Sequence, residues 1–474
     1  MRLRTAAITL AVATLTPFAL TAPAAHAATA AVPYDFNGDG RTDLAIGAPD
    51  ATVGGHAKAG AVSVVYGGAG GPNTSARALI TQNTAGVPGA PEAGDAFGAA
   101  VASADLNTDG YADLLVGVPG EDVTGDTSSG TAVVVWGSKS GLSGARSLFS
   151  FFDEDYDHYG QAFATGDFDD DGDLDVAVGS TGPVVLSIVN GPVTKTGAHN
   201  GGSGSRYDWW SSSPGVTHLT SADAPGDGRG PVVLHGRAEH TGDAATSLAD
   251  LRIGNYTDWL QRMPAGYVSA AGDIDGDGHP DFAVGNDRET SADAGGAKGG
   301  KVTVVYGGPE GLDADRAPLV LTQDTAGVPG ASETGDRFGS GVDLGDIDGD
   351  GYADLAVGAA GENSGAGAVT VLYGSASGLT TEDAQYYTQN TAGVPGASET
   401  GDLFGTRVVL TDHTGDGRAD LSLSAPGENS GDGSVWSLRG SATGLTTTGS
   451  LSFGTGTTGV SATGTPHLGS VLGG

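Results

Sequence analysis

The sequence predicts an all-β protein built from many short strands. Glycine and proline together make up 105 of the 474 residues (84 and 21) and occur throughout the chain, which disfavours long helices. Glycine does not recur at every third residue, so the chain is not collagen-like. The hydrophobic fraction of 38% is enough for a folded core, although large aromatic side chains are few. An all-β fold with short strands and many turns fits these observations.

One sequence unit occurs seven times along the chain. Each copy begins with an Asp/Gly-rich turn and continues into a short apolar strand, as in Asp35–Asp43 followed by Leu44–Ile46. In several copies a Gly-rich link then leads to a second apolar strand that ends in glycine, such as Val62–Gly67. The turns span 35–43, 105–113, 167–175, 223–231, 273–281, 346–354 and 412–420. A repeat with four short strands is one blade of a β-propeller, so the sequence predicts a seven-bladed β-propeller of four-stranded antiparallel blades.

The first copy lacks the strand that precedes the turn in other copies. That strand carries an aromatic-Gly pair, such as Phe97-Gly98 or Phe404-Gly405, eight residues before the first Asp of the turn. The segment His467–Leu472 is similar to the missing strand. We therefore expect the C-terminal strand to complete the first blade and close the ring, which leaves no unpaired sheet edge. A loose C-terminal tail is the alternative.

These motifs resemble the FG-GAP repeat family, which forms the seven-bladed propeller of integrin α chains and occurs in many bacterial secreted proteins. The resemblance is carried by Phe338-Gly339 with Gly358-Ala359-Ala360 and by Phe404-Gly405 with Ala425-Pro426. It covers about 28–474 and is weakest in the fourth copy. It implies a propeller, calcium in the blade loops and an adhesive or scaffold role, without indicating one ligand. Family members include phospholipase-like enzymes, whose catalytic domains lie outside the propeller.

The turns follow the pattern D-x-[D/N]-x-D-G-x-x-D, with oxygen-bearing side chains at positions 1, 3, 5 and 9. Calcium takes six to eight oxygen ligands, and the glycine at position 6 permits a sharp turn. Position 7 varies in sequence, as expected for a residue that offers only its backbone carbonyl. We therefore predict about five or six structural Ca²⁺ sites. The candidate ligands are Asp35, Asn37, Asp39, Arg41, Asp43, Asp105, Asn107, Asp109, Tyr111, Asp113, Asp167, Asp169, Asp171, Asp173, Asp175, Asp273, Asp275, Asp277, His279, Asp281, Asp346, Asp348, Asp350, Tyr352, Asp354, Asp412, Thr414, Asp416, Arg418 and Asp420.

Two other interpretations of these turns are possible. An EF-hand or dockerin loop has a carboxylate at position 12, whereas this chain has apolar residues there, such as Ile46 and Val357. A loop inside a β-hairpin fits better. The second alternative is that Asp, Asn and Gly simply make good turns. Repetition argues against it, because clustered carboxylates without a cation would repel one another. In the fourth copy, Pro225 and Pro231 replace ligands, so we expect no ion there.

The first 27 residues have the order of a secretory signal peptide. Arg2 and Arg4 precede an apolar stretch from Thr5 to about Ala22, and Ala25-His26-Ala27 forms a cleavage site. A membrane anchor is the alternative, but the apolar stretch is short and contains Pro17. We expect cleavage after Ala27, secretion, and a single propeller domain over 28–474.

The charge balance limits the possible partners. Asp+Glu is 57 and Lys+Arg is 21, so the net charge is −36. Such a surface repels nucleic acid and anionic lipid and attracts cations. No cysteine is present, which excludes disulfides and thiolate chemistry. We expect no nucleic-acid partner, no membrane span and a monomer.

The stretch 190–266 coincides with the degenerate fourth blade and has an unusual composition. It contains basic residues, histidines and three of the five tryptophans, namely Trp209, Trp210 and Trp259. Exposed Trp near Arg is typical of binding hot spots. The alternative is that these tryptophans fill gaps in a blade whose sequence has drifted.

We found no nucleophile elbow, zinc-protease motif or phosphate-binding loop. The sequence therefore favours a non-catalytic binding or adhesion module for an extracellular protein or glycan. The alternative is an extracellular hydrolase or lyase that uses the propeller channel. An enzyme should gather His, Asp or Arg side chains with shifted pKa values in one pocket, whereas a binding module should present loop surface without such a cluster.

Overall fold

The chain forms seven four-stranded antiparallel sheets arranged as a β-propeller, as the sequence predicts. The computed structural model describes residues 31–123, 125–148, 157–181, 184–205, 214–222, 231–238, 241–249, 260–309 and 311–474. The expected signal peptide, residues 1–27, lies outside these ranges. No helix in the described part of the chain is long and apolar enough to cross a membrane.

Each blade is a meander, and in blades 2 to 7 its first strand in sequence lies innermost. Blades 1 to 4 are formed by β1 (Leu44–Ala48), β2 (Ala61–Val65), β3 (Arg77–Ile80), β4 (Val101–Ala104), β5 (Asp113–Val118), β6 (Thr131–Val135), β7 (Ala145–Leu148), β8 (Ala162–Gly166), β9 (Asp175–Gly179), β10 (Leu186–Val189), β11 (Gly202–Ser205), β12 (His218–Ser221), β13 (Val232–Arg237), β14 (Ala244–Ala249) and β15 (Leu260–Arg262).

Blades 5 to 7 follow the same plan. Their elements are β16 (Val268–Gly272), β17 (Asp281–Asn286), β18 (Lys301–Val305), β19 (Gly307–Gly308), β20 (Gly311–Leu312), β21 (Leu319–Leu321), β22 (Phe338–Gly345), β23 (Asp354–Ala359), α1 (Glu362–Gly365), β24 (Ala368–Tyr373), β25 (Thr380–Tyr387), β26 (Val408–Thr411), β27 (Asp420–Ala425), α2 (Glu428–Gly431), β28 (Ser434–Arg439), β29 (Thr446–Gly454) and α3 (Thr455–Thr458). The last strand, β30 (Val471–Gly473), belongs to the sheet of blade 1. Strands β19 and β20 form a small separate ribbon.

The C-terminal strand closes the ring, which confirms the sequence prediction. Strand β30 pairs antiparallel with β1, with Leu472 opposite Ile46, and becomes the inner strand of blade 1. Leu468-Gly469 takes the place of the aromatic-Gly pair: Leu468 is fully buried, and the Gly469 N–H donates to the Gly47 carbonyl at 3.1 Å. The first blade therefore combines strands from both ends of the described chain.

The core lies between the blades. Seven clusters of buried residues occur, one at each interface between adjacent blades. The second strand of a blade is buried on both of its faces, and all five residues of β1 are buried. This explains why these strands read as continuous Ala/Val/Leu/Ile runs rather than alternating patterns.

The aromatic-Gly pairs join blades 2, 3, 6 and 7 to the blade that precedes each of them. Phe404 is fully buried at the interface of blades 6 and 7 and contacts Trp436 edge to face, with ring centroids 5.2 Å apart. Gly405 has φ of 87°, and a Cβ there would lie 2.6 Å from the Ala368 carbonyl oxygen. Only glycine satisfies both the backbone conformation and this close approach.

The nearly identical linkers 81–89, 322–330 and 388–396 also connect neighbouring blades. The amide Nε2 of Gln389 donates to Glu428 of the next blade at 2.6 Å. Gln82 and Gln323 make the equivalent bonds to Glu121 and Glu362, at 2.5 and 2.6 Å. The linker repeat thus has a structural role at the outer part of the ring.

Candidate functional site

Six acidic turns are described, and each leads into the second strand of its blade; in all but blade 1, where β30 is the inner strand, the turn connects the inner strand to the second strand. They therefore lie at the same face of the ring, at the C-terminal ends of the inner strands. They belong to blades 1, 2, 3, 5, 6 and 7. The turn of the fourth copy falls mainly on residues 223–230, which lie outside the described residues.

The aspartate at position 1 shapes the turn. In blade 6, Asp346 Oδ1 accepts the Asp350 N–H at 3.1 Å and Oδ2 accepts the Gly351 N–H at 3.0 Å. The same two bonds occur in the other five turns. Gly351 has φ of 92°, and a Cβ there would meet no atom within 4 Å. Glycine is required at position 6 for its backbone conformation and not for space.

The aspartate at position 9 ties the turn to the end of the third strand. Asp354 Oδ2 accepts the Ile347 N–H and Oδ1 accepts the Gly374 N–H, both at 2.9 Å. Equivalent pairs of bonds hold Asp43, Asp113, Asp175 and Asp281. In blade 7, Asp420 Oδ1 accepts the Gly440 N–H at 3.0 Å, while Oδ2 is buried without a hydrogen-bond partner among the described residues.

Burial makes these position-9 carboxyl groups weaker acids than usual, because it raises their pKa. Desolvation is the main cause, and the neighbouring aspartates of each turn raise the pKa further. The pKa rises to about 6 for Asp175 and to about 7 for the rest, which are Asp43, Asp113, Asp281, Asp354 and Asp420. A nearby cation would offset both effects, because it favours the charged form.

The side chains at positions 1, 3 and 9 converge. Carboxylate oxygens within 4.8 Å of one another occur in three turns, formed by Asp167, Asp169 and Asp175, by Asp273, Asp275 and Asp281, and by Asp346, Asp348 and Asp354. With calcium–oxygen distances of about 2.3–2.6 Å, oxygens at this separation fit around one ion. The donor set is therefore compatible with calcium.

The other three turns have a neutral oxygen donor at position 3. Asn37 Oδ1 in blade 1 is buried without a hydrogen-bond partner among the described residues, so this oxygen is available to coordinate a cation. In blade 2, Asn107 Nδ2 donates to Asp113 at 2.8 Å, and in blade 7 the Thr414 hydroxyl donates to Asp412 at 3.1 Å.

Position 5 differs from the expectation that all odd positions face one centre. In all six turns, Oδ1 of this aspartate accepts the N–H of position 7, as Asp350 does from Tyr352 at 3.0 Å. The position-5 residues, Asp39, Asp109, Asp171, Asp277, Asp350 and Asp416, do not belong to the three converging clusters.

Four position-7 side chains, those of Arg41, Tyr111, Tyr352 and Arg418, contact the turn of the preceding blade. The sequence alone does not predict these contacts. Arg418 Nε donates to the Asp348 carbonyl of the preceding blade at 3.1 Å, and Arg41 Nε donates to the Thr414 carbonyl at 3.1 Å across the closure of the ring. Tyr111 and Tyr352 instead cover the position-4 glycine of the preceding turn, so a Cβ on Gly276 would lie 2.7 Å from the Tyr352 ring. Backbone bonds accompany these contacts, such as Ala353 N–H to the Asp273 carbonyl at 2.9 Å.

The inner strands enclose a central channel with a cavity of 290 Å³. Its lining includes His218 of β12, Asp343 of β22 and Arg407 next to β26. Burial lowers the pKa of His218 to about 4, raises that of Asp343 to about 7 and lowers that of Arg407. Asp343 accepts the Leu410 N–H at 2.6 Å, so its carboxyl group is held by the backbone.

The predicted ligand residues Trp209, Trp210 and Trp259 lie outside the described residues. Their role stays a prediction. Of the basic residues in the same stretch, Lys195 pairs with Asp109 at 2.8 Å, and Arg237 lines a cavity beside the channel.

The fold and the acidic turns define a closed β-propeller with repeated acidic loops on one face, and three of these loops have carboxylates placed closely enough to hold a metal ion. Five segments match the FG-GAP repeat, at residues 27–65, 97–135, 265–305, 338–372 and 404–438. The chain therefore contains five FG-GAP repeats, which occupy blades 1, 2, 5, 6 and 7.

Relatives with known activity match only in part. Phosphatidylinositol-glycan-specific phospholipase D of Rattus norvegicus is 33% identical over 158 residues, which are 29% of this chain and 18% of the rat protein. The Homo sapiens protein of the same name is 31% identical over 228 residues, 46% of this chain and 22% of that protein. The chain thus spans about a fifth of the length of these curated relatives. Among solved structures, the Dos1 propeller aligns with a TM-score of 0.39 and 10% identity over 69% of this chain and 66% of that chain.

Proposed function

We propose that this protein is a secreted, monomeric calcium-binding propeller that acts as a non-catalytic binding or adhesion module for an extracellular protein or glycan. The observation that carries the proposal is the convergence of carboxylates at positions 1, 3 and 9 in blades 3, 5 and 6. The position-9 carboxylates are buried, and uncompensated charge there would be costly. A divalent cation explains why three acids are brought together at the same place in each of these three blades.

The proposed role of calcium is structural. The turns of blades 5, 6, 7, 1 and 2 contact one another in that order through backbone bonds, and some also through position-7 side chains, so an ion that stiffens one of these turns also stiffens a blade interface. The rigid ring then leaves the loops and the channel to meet a ligand. Secretion rests on the signal-peptide pattern of residues 1–27.

A hydrolase or lyase is the second candidate, because His218, Asp343 and Arg407 line one channel and all have shifted pKa values. Asp343 has a pKa suited to proton transfer near neutral pH, whereas His218, with a pKa of about 4, is a weak base. The phospholipase D relatives extend far beyond the matched region, so their activity supports this candidate only weakly.

An array of glycans and secreted proteins, probed with and without calcium, tests the proposal. We expect specific binding in calcium that disappears in excess EGTA. A folded, calcium-loaded protein that binds nothing on the array but hydrolyses or eliminates a glycan or glycolipid substrate would favour the second candidate. In that case, Asp343→Asn should remove the turnover.

A further inference from the structure

A second cavity, of 310 Å³, opens beside the channel on the face opposite the acidic turns. It lies at the N-terminal ends of the inner strands of blades 4 to 7, whereas the turns lie at the C-terminal ends. Thr217, His218, Val268 and Arg407 line both this cavity and the channel, so the two spaces are continuous. We call this second cavity the arginine pocket. Its charged and aromatic lining consists of Arg237, Arg288, Arg337, Arg407, Asp287 and Tyr267.

The charge of the arginine pocket is opposite to that of the chain. Acidic residues outnumber basic residues 57 to 21 in the sequence, but among the described residues four arginines and a single carboxylate line this cavity. His218 is neutral near pH 7, because burial lowers its pKa to about 4. The lining therefore carries a net positive charge in a strongly acidic protein, which favours an anionic occupant.

The one carboxylate is fully used by two of the arginines. Arg337 donates to Asp287 Oδ2 through Nε at 2.9 Å and Nη2 at 2.7 Å. Arg288 Nε lies 3.2 Å from Asp287 Oδ1. These contacts hold both guanidinium groups in place, and no second carboxylate among the described residues lines the pocket to pair with the other two arginines.

Arg407 and Arg237 have no ion pair among the described residues. Arg407 donates only to backbone carbonyls, through Nε to Ser470 at 3.2 Å and through Nη1 to Ser340 at 3.4 Å. Its charge is desolvated, which lowers its pKa. Arg237 donates through Nη1 to the Gly242 carbonyl at 2.9 Å. The desolvated charge of Arg407, which has no hydrogen-bonded counter-ion among the described residues, is costly unless a ligand supplies one.

Tyr267 positions two of the guanidinium groups. The Cζ atoms of Arg237 and Arg288 lie 5.6 and 5.3 Å from the centre of its ring. Its hydroxyl donates to Asp293 at 2.6 Å, and that carboxylate also accepts the Ala244 N–H, so Asp293 is occupied outside the pocket. The pocket is therefore built by contacts that orient arginines in advance.

We propose that the arginine pocket binds the oxyanion of a small ligand, a carboxylate or a phosphate group. Guanidinium groups match the planar, two-oxygen edge of both groups. The volume of 310 Å³ is at the lower end of small-molecule sites, which suits a single acidic sugar or a similar compound. This inference rests on the proposed binding role and adds the chemical class of the ligand.

Isothermal titration calorimetry at low ionic strength tests the proposal, with D-glucuronate, inorganic phosphate and neutral D-glucose as probes. We expect glucuronate or phosphate to bind one site and glucose to give no signal. Binding of glucuronate alone identifies a carboxylate site, and binding of phosphate alone identifies a phosphate site. If neither anion binds at millimolar concentration, the proposal is wrong.

Variants locate the binding. Arg237→Gln/Arg288→Gln should weaken anion binding about tenfold or more, because two charge-assisted contacts are lost. Arg77→Gln, which removes an arginine from the outer strand of blade 1, is the charge-matched control and should bind like the unmodified protein. Arg407→Gln with an unchanged melting temperature should also lose binding. Equal affinity in the double variant and the control would overturn the proposal. Such a result would leave calcium-dependent binding on the array unchanged. Failure of the arginine-pocket proposal can therefore be distinguished from failure of the proposed binding function.

Discussion

At the residue scale, the aspartates of one turn have different tasks. Positions 1 and 9 hold the backbone through hydrogen bonds to N–H groups, whereas Asp348 at position 3 accepts a single bond, from the Asp350 N–H at 3.1 Å. The charges of Asp350 and Asp346 add to burial in raising the pKa of Asp348. Without a cation, the position-3 carboxylate therefore adds repulsion and little support.

Substitutions in blade 6 should separate these tasks. Asp354→Asn loses an acceptor for a buried N–H and should lower the free energy of unfolding by about 1–3 kcal/mol, with or without calcium. Asp348→Ala should leave the melting temperature in EGTA unchanged or higher, but should reduce the gain on adding calcium. Thermal melts in both conditions check this. A loss in EGTA as large for Asp348→Ala as for Asp354→Asn would contradict the assignment.

His413 makes the junction of blades 7 and 1 sensitive to acid. It is fully buried, with Nδ1 2.8 Å from the Thr42 carbonyl and Nε2 3.0 Å from the Ser422 hydroxyl. Burial lowers its pKa from 6.5 to about 4, so the folded protein holds it neutral. The stability that it contributes is present above pH 6.5 and is lost as the pH falls towards 4.

Between pH 7 and pH 4, the unmodified protein should therefore lose on the order of 3 kcal/mol more stability than His413→Gln. Urea unfolding at the two pH values measures the difference. His56, an exposed histidine in blade 1, provides the control, and His56→Gln should keep the full acid sensitivity. If His413→Gln shows the same pH dependence as that control, the buried histidine is not responsible.

At the element scale, the turns form a connected chain around one face of the ring. Four position-7 side chains, those of Arg41, Tyr111, Tyr352 and Arg418, reach the turn before them. Gly276 at position 4 has φ of 73° beneath the Tyr352 ring. The two faces of a blade interface are thus joined at the acidic turns as well as through the apolar core.

Gly276→Ala should destabilise the protein more than Gly278→Ala. Both positions have positive φ, which costs about 1 kcal/mol for alanine, but only Gly276 would place a Cβ against Tyr352. Tyr352→Ala in the Gly276→Ala background should recover part of the loss. Chemical denaturation of the four variants, including Tyr352→Ala alone, measures this coupling. Additive losses would show that the turns are not linked through this contact.

The repeat pattern was sufficient to predict the blades but not the contacts between them. The Asp/Gly turns and aromatic-Gly pairs recur in sequence, so strands and turns could be placed from their spacing. The partner of Tyr352 or Arg418 lies one blade away, and nothing in a single copy indicates it. Position 5 was expected to face the ion as one of the odd positions of the turn; in the structure its Oδ1 accepts the position-7 N–H, and it is not among the three converging clusters.

At the scale of the whole molecule, the ring is closed by residues from opposite ends of the described chain. Leu468 lies in the buried cluster between blades 7 and 1, and β30 pairs with β1. The sequence indicated this closure because blade 1 lacks its inner strand. It could not predict the arginine pocket, since Arg237, Arg288, Arg337 and Arg407 come from different blades and meet only in the closed ring.

Leu468→Asp should therefore open or unfold the ring, because it buries a charge at the closing interface and costs several kcal/mol. Leu79→Asp is the matched control: Leu79 is 39% exposed on the outer strand of blade 1 and should tolerate the change. Circular dichroism and size-exclusion chromatography distinguish the two outcomes. A Leu468→Asp protein as compact and as stable as the control would show that closure is not needed.

Calcium content combined with thermal melting tests the central claim most directly. The account predicts five or six calcium ions per purified chain and a melting temperature that falls by many degrees in excess EGTA. Each site contributes about 2.7 kcal/mol when calcium is a hundredfold above its Kd, so the loss of several sites should be large. A chain that is shown to be free of metal and melts at the same temperature with calcium or with EGTA would contradict it.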